Sequence, residues 1–413
     1  MEKESAILEI TSSSIKITVG YEIEDKPYII YAASKSIEGM IEYGNIIDKK
    51  GIISVVESLC RIEDSAAKLR ITINDVVLVL PPLGLEIYQG EQTTSVVSEK
   101  YQISKLDINN VIKLVKNQVV PHNNEIVDIV PDSFKLEQGR TFTEPPLNEI
   151  SRFLTVKSKV HTLPKTVINE FRNIVESAGI RIKRIVVSPY CVSRLYANDP
   201  TLPTSFIYLD CGSQITSATI ISNGAIFNSC YFFGGGKKLI DLISENLSTN
   251  KDESEHLIKL YGYDPRKLTY TPVVYVSKNA DGTDKKYTIN DLNNCTLKYL
   301  DDYVVSIKTC LNEIKKVIPS NIDLPIVIGG GFSKLGGLHE FLQEKLKPIK
   351  IYRAPMNVIG ARDEAYINCV GAILTISKYR GTLEDNSNRV TPITRENTAK
   401  TNSQDDEFYN DVI

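Results

Sequence analysis

Two segments of this chain share one design, and this internal repeat constrains the fold more than any other feature. Residues 5–19 and 205–219 each read as an apolar strand, a small polar turn and a second, alternating strand. An acidic residue closes the first strand in both, Glu9 in one and Asp210 in the other. Either segment alone could be an ordinary β-hairpin. Together they predict two related α/β halves, whose facing turns could hold the two sides of a polyphosphate.

A glycine-rich turn in the second half is another candidate ligand site. Residues 325–338 read as a buried strand that breaks at Gly329, Gly330 and Gly331, with Ser333 as the predicted N-cap of a following helix. Glycine permits a positive φ and lets the backbone approach a ligand closely. Helix-start amides at the carboxyl edge of an open α/β sheet are suited to ligand binding. On its own, such a motif could also be a tight strand-to-helix connection.

The composition favours a mixed α/β protein and disfavours several other classes. A chain of 413 residues can hold two or three domains with substantial cores. Its 48 basic residues nearly balance its 51 acidic ones, so no nucleic-acid partner is indicated. The 7 cysteines and 4 histidines are scattered, which argues against a metal site and fits a reducing compartment. Without a recognisable signal region or membrane span, we expect a soluble, cytosolic protein.

Changes of pattern along the chain predict its organisation. The segments, in order, are a first lobe with the first hairpin (1–80), an inserted α+β subdomain (81–161), the rest of the first lobe (162–200), the second hairpin (201–235), a small subdomain of the second lobe (236–322), its closing part (323–380) and an acidic tail (381–413). The tail contains too little apolar sequence to fold alone, so we predict that it is disordered.

Apolar periodicity predicts several individual elements. The predicted helices include 52–69, 107–119 with Asp107 at its cap, and 297–317. A β-hairpin is predicted between Val273 and Ile289, turning at an Asp-Gly pair within 279–282.

The order of these motifs resembles the actin/Hsp70/hexokinase ATPase superfamily. More narrowly, the chain is similar to FtsA, the bacterial actin homologue that tethers the tubulin-like FtsZ ring to the membrane. The resemblance covers about residues 5–378, including 36–48 and 125–134, which lie outside the nucleotide motifs. It implies duplicated actin-like (ribonuclease H-like) lobes around a nucleotide cleft. The segment 81–161 would then be the FtsA-type inserted subdomain, where that family differs from actin.

The resemblance also implies which residues would hold ATP. Carried over motif by motif, they are Ser12, Ser13 and Lys16 in the first phosphate loop, Asp210, Gly212 and Ser213 in the second, Gly235 and Gly236 in a glycine break, Glu255 in the adenine-side helix, and Gly329, Gly330, Gly331 and Ser333 in the adenosine loop. Asp210 and Glu9 are the candidates to hold nucleotide-bound Mg²⁺ through water. No further metal site is expected.

The phosphate loops depart from the family pattern at several positions. Thr11 replaces a glycine in the first loop, Ser213 and Gln214 replace two glycines in the second, and Glu9 replaces an aspartate. Added Cβ atoms crowd a turn that should wrap phosphates, and a longer acid displaces the carboxylate that should hold the Mg²⁺ water. Because hydrolysis depends on accurate positioning, we expect weakened ATP binding and at most a weak ATPase activity. An empty, structural cleft is the alternative.

Functionally, the resemblance implies a cell-division adaptor at the inner face of the membrane. It would bind the C-terminal peptide of FtsZ through the subdomain that holds the 273–289 hairpin, and it would self-associate into filaments. The chain ends in an acidic stretch, 403–413, rather than the amphipathic helix of the family. Membrane association is therefore expected to be indirect or to use an unrecognised element.

Three alternatives remain open at the level of sequence. The chain could be another actin-like ATPase, of the pilus-assembly or the MreB-like filament type. It could be a small-molecule kinase of the superfamily, although kinases need an aspartate base and an intact second phosphate loop. An Hsp70-like chaperone is disfavoured because no β-rich substrate domain follows.

Overall fold

The first part of the chain forms an antiparallel meander, a helix and several further strands. The structure is a computed structural model that describes residues 4–64, 69–118, 120–264, 271–278, 282–319, 323–377 and 394–397. The elements up to residue 80 are β1 (Ser5–Ile10), β2 (Ser14–Ile23), β3 (Lys26–Ser36), β4 (Ile41–Glu42), β5 (Asn45–Ile46), α1 (Lys49–Cys60), β6 (Arg61–Asp64), β7 (Leu69–Thr72) and β8 (Asp75–Leu80).

A separate sheet with its own helix follows. Its elements are β9 (Glu86–Ser95), α2 (Lys105–Lys116), β10 (Asn124–Leu136), β11 (Thr141–Phe142) and β12 (Phe153–Pro164). The strands pair antiparallel in the order β11-β10-β12-β9, and α2 covers one face of the sheet around a core of its own. The chain then returns to the first sheet through α3 (Lys165–Ser177), β13 (Arg181–Val187) and α4 (Ser188–Leu195).

The second half contains a matching meander and a group of helices. Its elements are β14 (Ser205–Cys211), β15 (Ile215–Ser222), β16 (Ala225–Phe233), α5 (Gly236–Leu247), α6 (Lys251–Tyr261), β17 (Val273–Lys278), β18 (Asp284–Thr288), α7 (Ile289–Lys315), β19 (Ile326–Gly329), α8 (Leu338–Lys345), β20 (Ile351–Arg353), α9 (Ile367–Ser377) and β21 (Thr394–Asn397).

The two main sheets have the same topology. In the first, the order is β3-β2-β1-β8-β13, and in the second it is β16-β15-β14-β19-β20. In each, the first three strands in sequence are antiparallel, and the remaining two run parallel to the first. The predicted α/β class and its duplicated, actin-like lobes are therefore confirmed.

Two helices close the first lobe beneath the cleft. α4 and α9 pack against each other, and their buried residues Cys191 and Val370 share a core with Ile7 of β1 and Val79 of β8. A Cβ at Gly371 would collide with the carbonyl oxygen of Cys191. The glycine therefore allows α9 to lie close to α4, and α9 brings residues from the end of the chain to β1.

The inserted sheet is attached to the first lobe by an arginine. Arg184 of β13 donates from Nη2 to both carboxylate oxygens of Asp128 in β10, at 2.8 and 2.7 Å. Its Nη1 also donates to the carbonyl oxygen of Thr375 in α9, at 2.7 Å. One side chain thus connects the insert, the first sheet and the closing helix.

Two helix predictions were wrong at their ends. The helix predicted at 52–69 ends at Cys60, because the chain turns there into β6, which pairs with β7 as a hairpin. The helix predicted to begin at Asp107 begins at Lys105. Its N-cap is Ser104, whose backbone amide donates to Asp107 at 2.9 Å, so Asp107 lies inside the first turn.

The second half brings further corrections. The helix predicted at 297–317 starts earlier, as α7 at Ile289, because Thr288 and Asp291 form a capping box. Ser333 is not a helix N-cap: it lies in a 3-10 turn, Gly331–Lys334, and α8 begins only after Gly337.

Two other predictions concern segments that lie partly outside the described residues. β17 and β18 form the predicted hairpin, whose turn at 279–281 lies outside the described residues. The tail 381–413 also lies outside them except for β21, which pairs antiparallel with β7, and its disorder stays a prediction. In the described part of the chain, no helix is both long and apolar enough to cross a membrane.

Candidate functional site

A cavity of about 600 Å³ lies between the lobes, and both predicted hairpins line it. The predicted site residues in its wall are Glu9, Ser12, Ser13, Lys16, Asp210, Gly212, Ser213, Gly236, Glu255, Gly330 and Gly331. The other three lie behind this wall. Gly235 and Gly329 are buried, and Ser333 is buried with its Oγ donating to the carbonyl oxygen of Gly330 at 2.7 Å. The structure thus gathers eleven of the fourteen predicted residues at one cavity.

The floor of the cavity is a buried network around Glu9. Glu9 and Lys16 are cross-strand partners on β1 and β2, and their Oε2 and Nζ atoms lie 2.9 Å apart. Asn368 of α9 donates from Nδ2 to the other oxygen of Glu9 at 2.7 Å. Burial is the largest single influence on the pKa of Lys16 and lowers it, but the charge and hydrogen bond of Glu9, together with Cys369 and Asp210, outweigh it, and the pKa is raised. Lys16 is therefore a cation that Glu9 already neutralises.

Asp210 is held against the glycine turn of the second lobe. Gly330 has φ 85°, and a Cβ there would collide with the carboxylate of Asp210 and the carbonyl oxygen of Cys211. Glycine is required at this position both for its conformation and for its contact. Burial and the nearby charge of Glu9 raise the pKa of Asp210 to about 6, although Lys16 and a hydrogen bond to Asn368 oppose the shift.

The turn of the first hairpin is closed by its own threonine. The Oγ1 atom of Thr11 accepts from the amides of Ser13 and Ser14, at 3.4 and 3.1 Å, and donates to the carbonyl oxygen of Ser14 at 2.8 Å. Successive turn amides form an anion-binding concavity when they are free. Here the hydroxyl of Thr11 accepts from these amides in the place of an anion.

The glycine break that starts α5 is also satisfied from within the protein. The amides of Gly234, Gly236 and Lys237 donate to the carbonyl oxygens of Gln214, Gly212 and Ser213, at 2.9, 3.2 and 2.9 Å in that order. The amide of Gly235 donates to Tyr299 Oη at 2.8 Å. A helix N-terminus binds anions through unsatisfied amides. These four amides already have partners.

Every lysine in the described wall of the cavity is paired with a carboxylate. The pairs are Lys16–Glu9 at 2.9 Å, Lys237–Glu42 at 2.9 Å, Lys259–Glu255 at 2.6 Å and Lys334–Asp363 at 2.5 Å. A phosphate chain entering the cavity would compete with these acids for the ammonium groups.

The two candidate carboxylates for Mg²⁺ differ in availability. Asp210 lines the cavity and offers the hard oxygen donors that Mg²⁺ prefers, and a bound cation would lower its raised pKa. Both oxygens of Glu9 already accept hydrogen bonds. The residues present therefore fit a nucleotide-bound Mg²⁺ better at Asp210, whose carboxylate has a hydrogen bond to Asn368, than at Glu9, which Lys16 and Asn368 both engage.

The sequence missed three side chains of the site. Lys237 directly follows the glycine break, so its place in the sequence could have identified it as a site residue. Lys334 follows Ser333 within the glycine motif in the same way. Asn368 has no local signal, because only the packing of α9 brings it to Glu9.

Comparison with known proteins identifies the relatives of this chain. No protein-family model matches it. It is 24% identical to cell division protein FtsA of Streptococcus pneumoniae over 386 residues, which is 92% of this chain and 80% of that protein. It is 25% identical to FtsA of Enterococcus faecalis over 386 residues, covering 92% and 83%. With FtsA of Bacillus subtilis it shares 24% over 375 residues, covering 89% and 82%.

Solved structures show the same fold at lower sequence identity. A chain of a PilM–PilN type IV pilus biogenesis complex aligns with a TM-score of 0.57 at 15% identity, covering 92% of this chain and 99% of that one. MreB5 of Spiroplasma citri bound to AMPPNP aligns with a TM-score of 0.51 at 12% identity, covering 90% and 95%. The resemblance predicted from the sequence is thus confirmed: this chain is similar to cell division protein FtsA over 92% of its length and has an actin-like ATPase fold.

Proposed function

We propose that this chain is an actin-like cell-division adaptor that binds FtsZ and helps to assemble or anchor the division ring. The observation that carries the proposal is the extent of its similarity to FtsA, which covers 92% of the chain. That similarity includes the inserted sheet β9–β12 as well as both lobes. The insert supports an FtsA-like role over the kinase and MreB-like alternatives.

The FtsZ peptide would dock on the subdomain formed by α6, β17, β18 and α7. Val273 and Val276 of β17 are 48% and 45% exposed, and Leu260 of α6 is 61% exposed. Lys278 and Lys285, at the facing ends of the two strands, are also exposed. Apolar side chains with basic residues beside them suit an extended peptide that carries apolar and acidic side chains.

In the cleft, the protein would bind ATP with Mg²⁺ weakly and hydrolyse it negligibly. The size of the cavity and the adenosine turn at Gly330 support nucleotide binding. The closed turn at Thr11, the paired lysines and the engaged Glu9 support weak binding without efficient hydrolysis.

We further propose self-association into filaments and an indirect attachment to the membrane.

The experiment that tests the adaptor role is fluorescence polarisation with a labelled FtsZ C-terminal peptide. FtsA of Streptococcus pneumoniae serves as the positive control. We expect saturable binding that Val276→Glu weakens about tenfold or more, because the charge would lie within the apolar contact. Val97→Glu, at an exposed valine of the insert (64% exposed, against 45% for Val276), is the control and should bind normally. No binding where the positive control binds would refute the proposal.

Membrane attachment requires a separate test. Co-sedimentation of the full chain with liposomes should be weak on its own and should increase when FtsZ and a membrane-anchored partner are added. Direct sedimentation of the chain alone would show instead that it contains a membrane-binding element.

A further inference from the structure

The second phosphate loop of this protein makes a direct contact with the opposite lobe. The amide of Tyr43, in the tight turn between β4 and β5, donates to Gln214 Oε1 at 2.7 Å. Gln214 Nε2 donates to the carbonyl oxygen of Ile41 at 3.0 Å. The side chain of Gln214 is 3% exposed. The Gln214 side chain therefore both accepts from and donates to the backbone of the β4–β5 hairpin, as a neighbouring strand would.

Two further contacts flank this pairing. Lys237 Nζ, at the start of α5, lies 2.9 Å from Glu42 Oε1 in β4. The ring of Tyr43 meets the ring of Phe233 edge-on, with centroids 5.7 Å apart and planes at 87°. The contact thus contains hydrogen bonds, an ion pair and an aromatic pair, all between the β4–β5 turn of the first lobe and the second lobe.

The hairpin is fixed to its own lobe, so the contact joins the lobes rather than two loose loops. Ile41 is 2% exposed and belongs to the same buried cluster as Ile37 and Ile52 of the first lobe. Just before the hairpin, the amide of Ile37 donates to the carbonyl oxygen of Ser13 at 3.0 Å, and the amide of Ile47 donates to Met40 O at 2.8 Å. A movement of the second lobe away from the first would have to break the contacts of Gln214.

We propose that this group of contacts, the latch (Ile41, Glu42 and Tyr43 with Gln214, Phe233 and Lys237), holds the two lobes closed without nucleotide. A ligand stabilises a closed state only as far as it binds that state better than the open one. Where side chains already join the lobes, the ligand adds little to closure. Gln214 stands where the FtsA pattern has a glycine, which has no side chain that could bridge.

The phosphate loops support the same inference independently. The turn amides of Ser13 and Ser14 are bound by Thr11, and the amides that start α5 are bound by the second loop. Groups that would be unsatisfied in an empty phosphate site are therefore satisfied here. Closure of the cleft by the latch does not depend on FtsZ binding.

Hydrogen–deuterium exchange of the full chain tests the latch directly, because the Tyr43 amide reports on it. In nucleotide-free protein, we expect this amide to be protected and to change less than about twofold in exchange rate when Mg–ADP or Mg–ATP is added. Rapid exchange without nucleotide, with strong protection on its addition, would overturn the proposal.

Gln214→Gly removes the bridge and should speed exchange at Tyr43 about tenfold or more. Nucleotide should restore part of the protection in this variant. Ser213→Gly is the matched control, because it gives the same loop the same backbone freedom but removes no contact between the lobes. If both variants behave like the native protein, Gln214 does not hold the lobes.

A second pair of variants guards against a folding defect in Gln214→Gly. Lys237→Gln removes only the ion pair and should raise the exchange rate at Tyr43 by about threefold. Its neighbour Lys238 is exposed, and Lys238→Gln should leave the rate unchanged. Amides of β8 serve as the internal reference for the folded core. An equal effect of the two lysine variants would contradict the latch.

Discussion

Lys16 Nζ lies 2.9 Å from Glu9 Oε2 at the floor of the cleft, and the two side chains are only 11% and 4% exposed. The pair occupies positions where the FtsA pattern has a phosphate-loop lysine and an aspartate. Because a buried ion pair must replace the hydration that both charges lose, each partner depends on the other. Lys16, which the resemblance assigns to a phosphate, instead forms an ion pair with Glu9 across two strands of the first sheet.

This pairing predicts a large cost for removing one partner. Glu9→Gln would leave the ammonium of Lys16 buried beside a neutral amide, so we expect a loss of about 3 kcal/mol in the free energy of unfolding. Urea denaturation at pH 7 measures it. The double variant Glu9→Gln, Lys16→Met removes both charges and should recover most of the loss. A loss below about 0.5 kcal/mol would mean that the pair behaves like an exposed one.

A second prediction concerns the hydroxyl of Thr11, which accepts from the amides of Ser13 and Ser14. Thr11→Gly frees both amides for a phosphate, so we expect about tenfold tighter binding of a fluorescent ADP analogue, the equivalent of one or two net hydrogen bonds. Thr11→Ser keeps the hydroxyl and should bind like the native chain. Equal affinities for Thr11→Gly and Thr11→Ser would show that the turn does not limit binding.

A third prediction follows from the raised pKa of Asp210, about 6. The folded protein binds this proton more tightly than the unfolded chain, so stability falls as pH rises from about 4 to about 6 and is then constant. Asp210→Asn should remove this dependence and raise the free energy of unfolding at pH 7 by about 1–2 kcal/mol. The new amide could also donate to Asn368 Oδ1, which has no hydrogen-bond partner among the described residues.

The check on Asp210→Asn is a series of urea titrations between pH 4 and pH 8. The variant and the native chain should differ least at pH 4 and most above pH 6. A variant that is less stable than the native chain at pH 7 would show that the ionised carboxylate is favourable where it lies.

The duplicated topology of this protein could be predicted because the same strand–turn–strand pattern occurs twice in the sequence, at 5–19 and 205–219. Each hairpin carries an alternating strand and an acid at the same position, and Glu9 and Asp210 do lie at equivalent places in the two sheets. The glycine turn was predicted only to lie at the carboxyl edge of a sheet, and the structure adds that Gly330 contacts Asp210 there. A local pattern of this kind determines the hairpin without contacts from distant parts of the chain.

Contacts between distant segments could not be predicted in the same way. The sequence indicates only that Gln214 crowds a glycine position of the loop, whereas its side chain pairs with Ile41 and Tyr43 of the other lobe. Asn368 reaches Glu9 through the packing of α9. Helix periodicity likewise continued past Cys60, where hairpin pairing of β6 with β7 decides the structure. In each case the deciding partner is remote in sequence.

A fourth prediction concerns His161, which is fully buried where the insert meets the first lobe. Neither of its ring nitrogens has a hydrogen-bond partner within the described residues, and its ring lies edge-on to Tyr190 at 5.2 Å. Burial lowers the pKa of His161 to about 4, with Asp128 opposing and Arg184 and Lys159 adding to the shift. The unfolded chain therefore takes up this proton near pH 6.5, whereas the folded protein does so only near pH 4.

Stability must consequently fall as pH drops from about 6.5 towards 4, since the unfolded state binds more protons in that window. His161→Phe keeps the ring contact and removes the titrating group. We expect it to gain about 2 kcal/mol over the native chain at pH 5, relative to their difference at pH 7.5. Urea titrations at the two pH values measure this gain, and His122→Phe controls for the loss of an exposed imidazole. If His161→Phe loses stability equally at both pH values, the buried ring serves packing alone and does not set the acid sensitivity of the fold.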